Sequence, residues 1–140
     1  MMTTTTDENY FDHDADIGII GRGNSLEECF VDAAKTMLSL MTDLSTVHPK
    51  IAVTIEFEES DVELAFVTRL NLLIAKAQAD NLILATFKIH KVGDRWKGEA
   101  HGETWRDDIE PGIEVKGATL TMLSVKQVND GWEARCVVDV

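Results

Sequence analysis

Two short runs set the frame of this chain. Ser25-Leu26-Glu27-Glu28 and Ser60-Asp61-Val62-Glu63 each place a hydroxyl three residues ahead of a carboxylate. That spacing is a capping box, which satisfies the free amides at the start of a helix. Behind the first run, Leu26, Cys29, Phe30, Ala33, Met37, Leu38 and Met41 recur at helical spacing. Behind the second, Val62, Phe66, Leu70, Leu73, Ile74 and Ala77 do the same, to about Ala79. The remaining apolar residues mostly alternate with a period of two. Residues 10–20 read as a strand with Phe11, His13, Ala15, Ile17 and Ile19 on one face, followed by a turn at 21–24. Ile51, Val53, Ile55 and Phe57 mark the next strand. Residues 82–92 and 96–103 read as a hairpin around Gly93-Asp94, and 114–128 and 132–140 as another around Asn129-Asp130-Gly131. An irregular acidic stretch, 104–112, separates the hairpins. The order is β-α-β-α-β-β-β-β, and the expectation is a single α+β domain whose mostly antiparallel sheet carries two helices on one face. Residues 1–9 are expected to be a disordered tail and 10–140 the folded domain.

Charge narrows the function. Twenty-five acidic against thirteen basic residues leave the 140-residue chain at −12. Phosphate contacts need clustered Lys and Arg, so direct nucleic-acid or anionic-membrane binding is not expected; cations or basic partners are. No apolar run reaches the roughly 20 residues that cross a bilayer. Residues 1–8 have neither the basic nor the apolar part of a signal peptide, and a cytoplasmic location is the expectation. Cys29 and Cys136 both fall on apolar faces and read as core residues. The four histidines show no zinc spacing, and no nucleophile elbow or P-loop is present.

Carboxylates carry what chemistry remains. In extended chain, Asp12, Asp14 and Asp16 stand about 6.5–7 Å apart on one side. Stacked like charges need solvent or a cation, and hard divalent ions favour oxygen ligands. An EF-hand loop does not fit, because Ile17 falls where Gly is required and Gly23 where Glu is required. A solvated acidic strand is the bland alternative. A second cluster lies at Asp139 and the terminal carboxylate of Val140, with a strand that simply ends there as the bland alternative. Glu103, before the acidic loop, and the isolated Lys116 are further polar candidates.

Asp12-His13-Asp14-Ala15-Asp16-Ile17-Gly18-Ile19, then Gly21-Arg22-Gly23 and Ser25-Leu26-Glu27-Glu28-Cys29-Phe30, resembles the N-terminal signature of the archease family. That signature is an Asp/Glu-His-Thr-Ala-Asp-Ile-Gly run leading into a Leu-Glu-Glu-Ala-Phe helix. The resemblance continues through Met41-Thr42-Asp43, Asp61-Val62-Glu63-Leu64, Leu70-Asn71, Gly102-Glu103, Val115-Lys116-Gly117-Ala118-Thr119 and Val138-Asp139-Val140. It implies a non-catalytic accessory protein of the GTP-dependent, RtcB-type RNA ligase of tRNA splicing, one that promotes ligase guanylylation and multiple turnover. It also implies a divalent-metal site at Asp16, Asp139 and Val140, with calcium expected and magnesium or manganese as alternatives. By position, Asp12, Asp14, Glu103 and Lys116 are accessory or partner-facing candidates. The chain departs from the family pattern at Asp14 (Thr), Arg69 (Trp), Gly117 (Ala) and Thr121 (His). Two readings from other classes stand beside this one. The first is a small metal-dependent phosphoesterase using Glu103 or His101 to activate water; the second is a chaperone-like interaction domain without metal.

Overall fold

In the computed structural model, which describes residues 9–140, both helices form where their capping residues set them. Helix α1 spans Leu26–Ser39, and the Ser25 hydroxyl accepts from the Glu28 amide at 3.1 Å. Helix α2 spans Val62–Asp80, capped by Asp61 rather than Ser60. The Asp61 carboxylate accepts from the Glu63 and Leu64 amides at 2.9 and 3.0 Å. It brings a full negative charge to the positive end of the helix, which a hydroxyl cannot do. Asn81 closes α2 in the left-handed conformation, φ 54°.

The fold is α+β with antiparallel pairing throughout, and its strands divide into two sheets. The first has the order β1-β2-β8-β6, from β1 (Tyr10–His13), β2 (Asp16–Gly23), β8 (Gly131–Asp139) and β6 (Gly117–Ala118). Strand β7 (Ser124–Val128) pairs with β8 along the same edge as β6. The second sheet is β3-β5-β4, from β3 (Ile51–Glu58), β5 (Arg95–Thr104) and β4 (Leu82–Val92). The segment 105–116 carries the chain from the second sheet back to the first. Helix α1 packs on β2, β8 and β4, and α2 on β3, β4, β6 and β7, so one core serves both sheets. At its centre the Trp96 ring stacks nearly parallel to Phe30, at 5.0 Å, and to Phe57, at 6.0 Å. Phe66 of α2 meets Phe30 at 5.2 Å. The Trp96 indole N–H donates to the Glu59 carbonyl, so burying the ring leaves no donor unmet.

Three expected elements differ. The strand expected over 10–20 is a hairpin, β1 and β2, turned at Asp14-Ala15 with Asp14 at φ 52°. Asp tolerates that conformation better than most residues, and the tight turn returns Phe11 over Gly18. The strand expected over 114–128 is broken into β6 and β7. The turn expected at 21–24 starts later, because β2 continues to Gly23. A Cβ on Gly21 would stand 2.5 Å from the Ala33 Cβ and the Cys29 carbonyl oxygen, so this glycine is what lets α1 lie against the strand. Of the expected tail, 1–8 lies outside the described residues, while Asn9 pairs with Ile20. Cys29 and Cys136 are fully buried, and burial pushes both thiols up to about 12. They are core residues, as their positions in the pattern predict.

Candidate functional site

Strands β2 and β8 run antiparallel with Ile17 opposite Val138. The ladder ends at this pair, and the next residues outward are Asp16, the first of β2, and Asp139, the last of β8. The Val140 N–H donates to Asp16 Oδ1 at 3.4 Å. On the other edge of β8, Gly117 pairs with Asp139, and the Lys116 N–H donates to the Asp139 carbonyl at 2.8 Å. Asp16, Asp139, Val140 and Lys116 therefore meet at one end of the first sheet. Asp16 is half-buried, Asp139 and Lys116 are exposed. Among the described residues, neither Asp16 nor Asp139 forms an ion pair.

The hairpin removes the carboxylate ladder expected from Asp12, Asp14 and Asp16. Asp12 pairs across to Ile17, and Asp14 sits on the turn with its side chain 93% exposed, 3.9 Å from His13 Nδ1. Glu103 goes elsewhere. It is buried at the end of β5, where it accepts from the His48 amide at 2.6 Å and from Arg106 Nε and Nη2 at 3.0 and 3.2 Å. These bonds hold its carboxyl down to about 2, the Arg106 contribution being largest. Arg106 also grips both Asp108 oxygens at 2.7 Å and the Thr46 carbonyl. This cluster ties the loop after β5 to the 3-10 turn Leu44–Thr46. With every Glu103 oxygen engaged, the residue is poorly placed to activate a water. His101 is turned to Glu99, at 3.1 Å.

Among the described residues no three His, Cys, Asp or Glu side chains converge as a metal group. The donor set at the sheet end is smaller: two carboxylates and the main-chain oxygens of Val140. All are hard oxygen donors, which suits calcium, magnesium or manganese and not a thiolate-seeking metal.

Two supporting residues escape sequence reasoning. The Asn71 amide on α2 donates to the Ala118 carbonyl at 3.1 Å and accepts from the Ala118 N–H at 2.8 Å. It thereby stands in for a strand neighbour and fixes β6 beside Asp139. The Thr119 hydroxyl donates to the Val137 carbonyl at 2.8 Å. The signal for Asn71 was available: an amide within the apolar run of a helix is a poor helix former and needs another reason to be there.

Residues 9–140 match the model of the archease protein family. The chain belongs to the archease family. It is 35% identical over 134 residues to the archease of Sulfolobus acidocaldarius, covering 94% of this chain and 96% of that one. With the archease of Methanosarcina acetivorans it shares 28% over 137 residues, 94% of each chain. The solution structure of a Methanobacterium thermoautotrophicum protein matches with a TM-score of 0.82 and 28% identity, over 94% of this chain and 97% of that one. A Thermotoga maritima archease, described as a possible chaperone, matches with a TM-score of 0.65 over 93% and 94% of the two chains. At 22% identity, that likeness speaks to the fold.

Proposed function

We propose that this archease-family protein is a non-catalytic accessory protein of a GTP-dependent, RtcB-type RNA ligase, promoting ligase guanylylation and multiple turnover in tRNA splicing or RNA repair. It acts in the cytoplasm, through a divalent-cation site at Asp16, Asp139 and the main-chain oxygens of Val140. The observation that carries the reading is that Asp16 and Asp139 end neighbouring strands just beyond the Ile17–Val138 pair, with no Lys or Arg paired to either among the described residues. Neighbouring carboxylates weaken a sheet end, and an oxygen-seeking cation is the simplest compensation, with calcium the leading candidate. When bound, such an ion supplies a hard positive charge at a strongly acidic surface. Lys116, held beside Asp139 through its main chain, lends a second positive charge to the same end.

The net charge of −12 supports a protein partner over RNA, since a basic ligase surface attracts what a phosphate backbone repels. The Thermotoga protein's description as a possible chaperone fits the same class, a protein that acts on another protein. No helix of the described residues is long and apolar enough to cross a membrane. The test is ligase guanylylation over many turnovers, with the intact protein, with Asp16→Ala, and after chelation. Stimulation by the intact protein that is lost in both controls is expected. No stimulation by the intact protein overturns the reading.

A further inference from the structure

The edge of the first sheet is interrupted between β6 and β7 by residues 119–123, and this short loop is tightly held. The Thr119 N–H and hydroxyl both donate to the Val137 carbonyl, at 3.0 and 2.8 Å. The Val137 N–H donates to the Thr121 carbonyl at 3.0 Å, and the Thr121 N–H to Thr119 Oγ1 at 3.2 Å. Leu123 anchors the far side against the core. The two residues between these anchors point the other way in chemistry: Leu120 is 63% exposed and Met122 55%.

Met122 is also in the left-handed region, at φ 57°. The other non-glycine residues with positive φ among those described are Asp14, Asn81 and Asn129, types that enter this region readily. Methionine does not, and a polar residue or glycine would satisfy the turn at lower steric penalty. A strained backbone that presents a flexible apolar side chain to water is explained by use of that side chain. Val137 lies two residues from Asp139 along β8, about 7 Å at strand rise. The apolar pair therefore borders the acidic end of the sheet.

We infer that Leu120 and Met122 form the anchor by which this protein docks on its ligase, into an apolar pocket bordered by Lys or Arg. The proposal rests on the ligase reading above. Charge selects the occupant. A second copy of this chain brings another −12 to the contact, and an anionic lipid surface is repelled as well, whereas a basic-rimmed pocket gains from the acidic surface of the chain as a whole. Methionine is enriched at the centres of protein interfaces, where it adapts to the partner's shape.

The experiment titrates ligase guanylylation with the intact protein, Leu120→Ser and Met122→Gly, and records each protein's melting temperature. Each substitution is expected to raise the concentration for half-maximal stimulation about tenfold. Met122→Gly should at the same time melt roughly 3 °C higher, because glycine carries no penalty at φ 57°. Unchanged half-maximal concentrations overturn the anchor and leave the ligase reading standing. Weaker stimulation with a lower melting temperature in both variants also overturns it, since the loop then merely holds the sheet edge. Absence of stimulation by the intact protein removes the ligase reading and the anchor together.

Discussion

Asp16 and Val140, 124 positions apart in sequence, meet through an N–H donated to Oδ1 at 3.4 Å. The contact follows from the β2–β8 register, which seals the first long strand against the last and so brings two acidic residues side by side. The main chain contributes donors at this end but no cation, and both carboxylates remain without an ion pair among the described residues. A sheet end of that kind is weakened by its own charge until something positive arrives.

Asp16→Asn should therefore show opposite signs in two conditions. With chelator present, removing one of two neighbouring carboxylates raises stability by about 0.5 kcal/mol. With calcium in excess, the intact protein gains binding energy that the variant lacks, so the order reverses. Thermal melts of both proteins with and without calcium check this. Identical melts in the two conditions count against a cation at this position.

Much of this was legible in the chain. Ser25 and Glu28 mark α1, the alternation of 51–57 marks β3, and Gly93-Asp94 and Asn129-Asp130 mark two hairpins, all as found. The misread segments share a cause. Over 10–20 the apolar alternation runs unbroken through a turn, so period alone cannot reveal that Asp14-Ala15 reverses the chain. Residues 114–128 mislead in the same way, because the loop at 119–123 keeps a strand-like composition. The meeting of Asp16 with Asp139 is a matter of which strands become neighbours, and no local pattern encodes that. The likeness to archeases pointed to these residues before the geometry brought them together.

Asn71→Ala tests whether α2 positions β6. Two hydrogen bonds to Ala118 are lost, at about 1 kcal/mol each, so a loss near 2 kcal/mol is expected in urea unfolding. If the site binds calcium, affinity should fall in parallel, because Gly117 and Lys116 then hold Asp139 less firmly. A stability loss with calcium affinity intact would separate the helix from the site.

Acid should unfold the protein partly through Glu103. Its carboxyl lies at about 2 in the fold against an ordinary 4.5, held down first by Arg106 and then by the His48 amide. The folded state thus favours the ionised form. The resulting stability is fully present above pH 4.5 and is lost as pH falls from there through 2. Glu103→Gln removes the titrating group, takes the buried one of the two carboxylates away from Arg106 while Asp108 remains, and lowers the melting temperature at pH 7. The difference between intact protein and variant should shrink as the pH is lowered from 4.5 toward 2. A gap that stays constant over that range would mean the Arg106 contact carries no charge-dependent stability.

Arg69 offers the sharpest test of the core. Its side chain is 1% exposed, and among the described residues Nε and Nη2 have no hydrogen-bond partner. The guanidinium lies against Gly98, where an added Cβ would stand 2.6 Å from Nη1. Gly98 is thus the space that admits the arginine. Burial pulls the group down to about 10, yet it remains charged at neutral pH. A buried charge without a counter-ion is among the costlier features a fold can carry. Arg69→Met keeps most of the length and removes the charge, so it should stabilise the protein by about 2 kcal/mol. Because the folded state disfavours the protonated form, the penalty is fully present below pH 10 and eases as pH rises from 10 toward 12.5. Urea unfolding at pH 6, 7.5 and 9 should accordingly show the same gain at each pH. A loss of stability in Arg69→Met would mean that a buried water or anion satisfies Nε and Nη2, and that the guanidinium contributes more than its apolar stem.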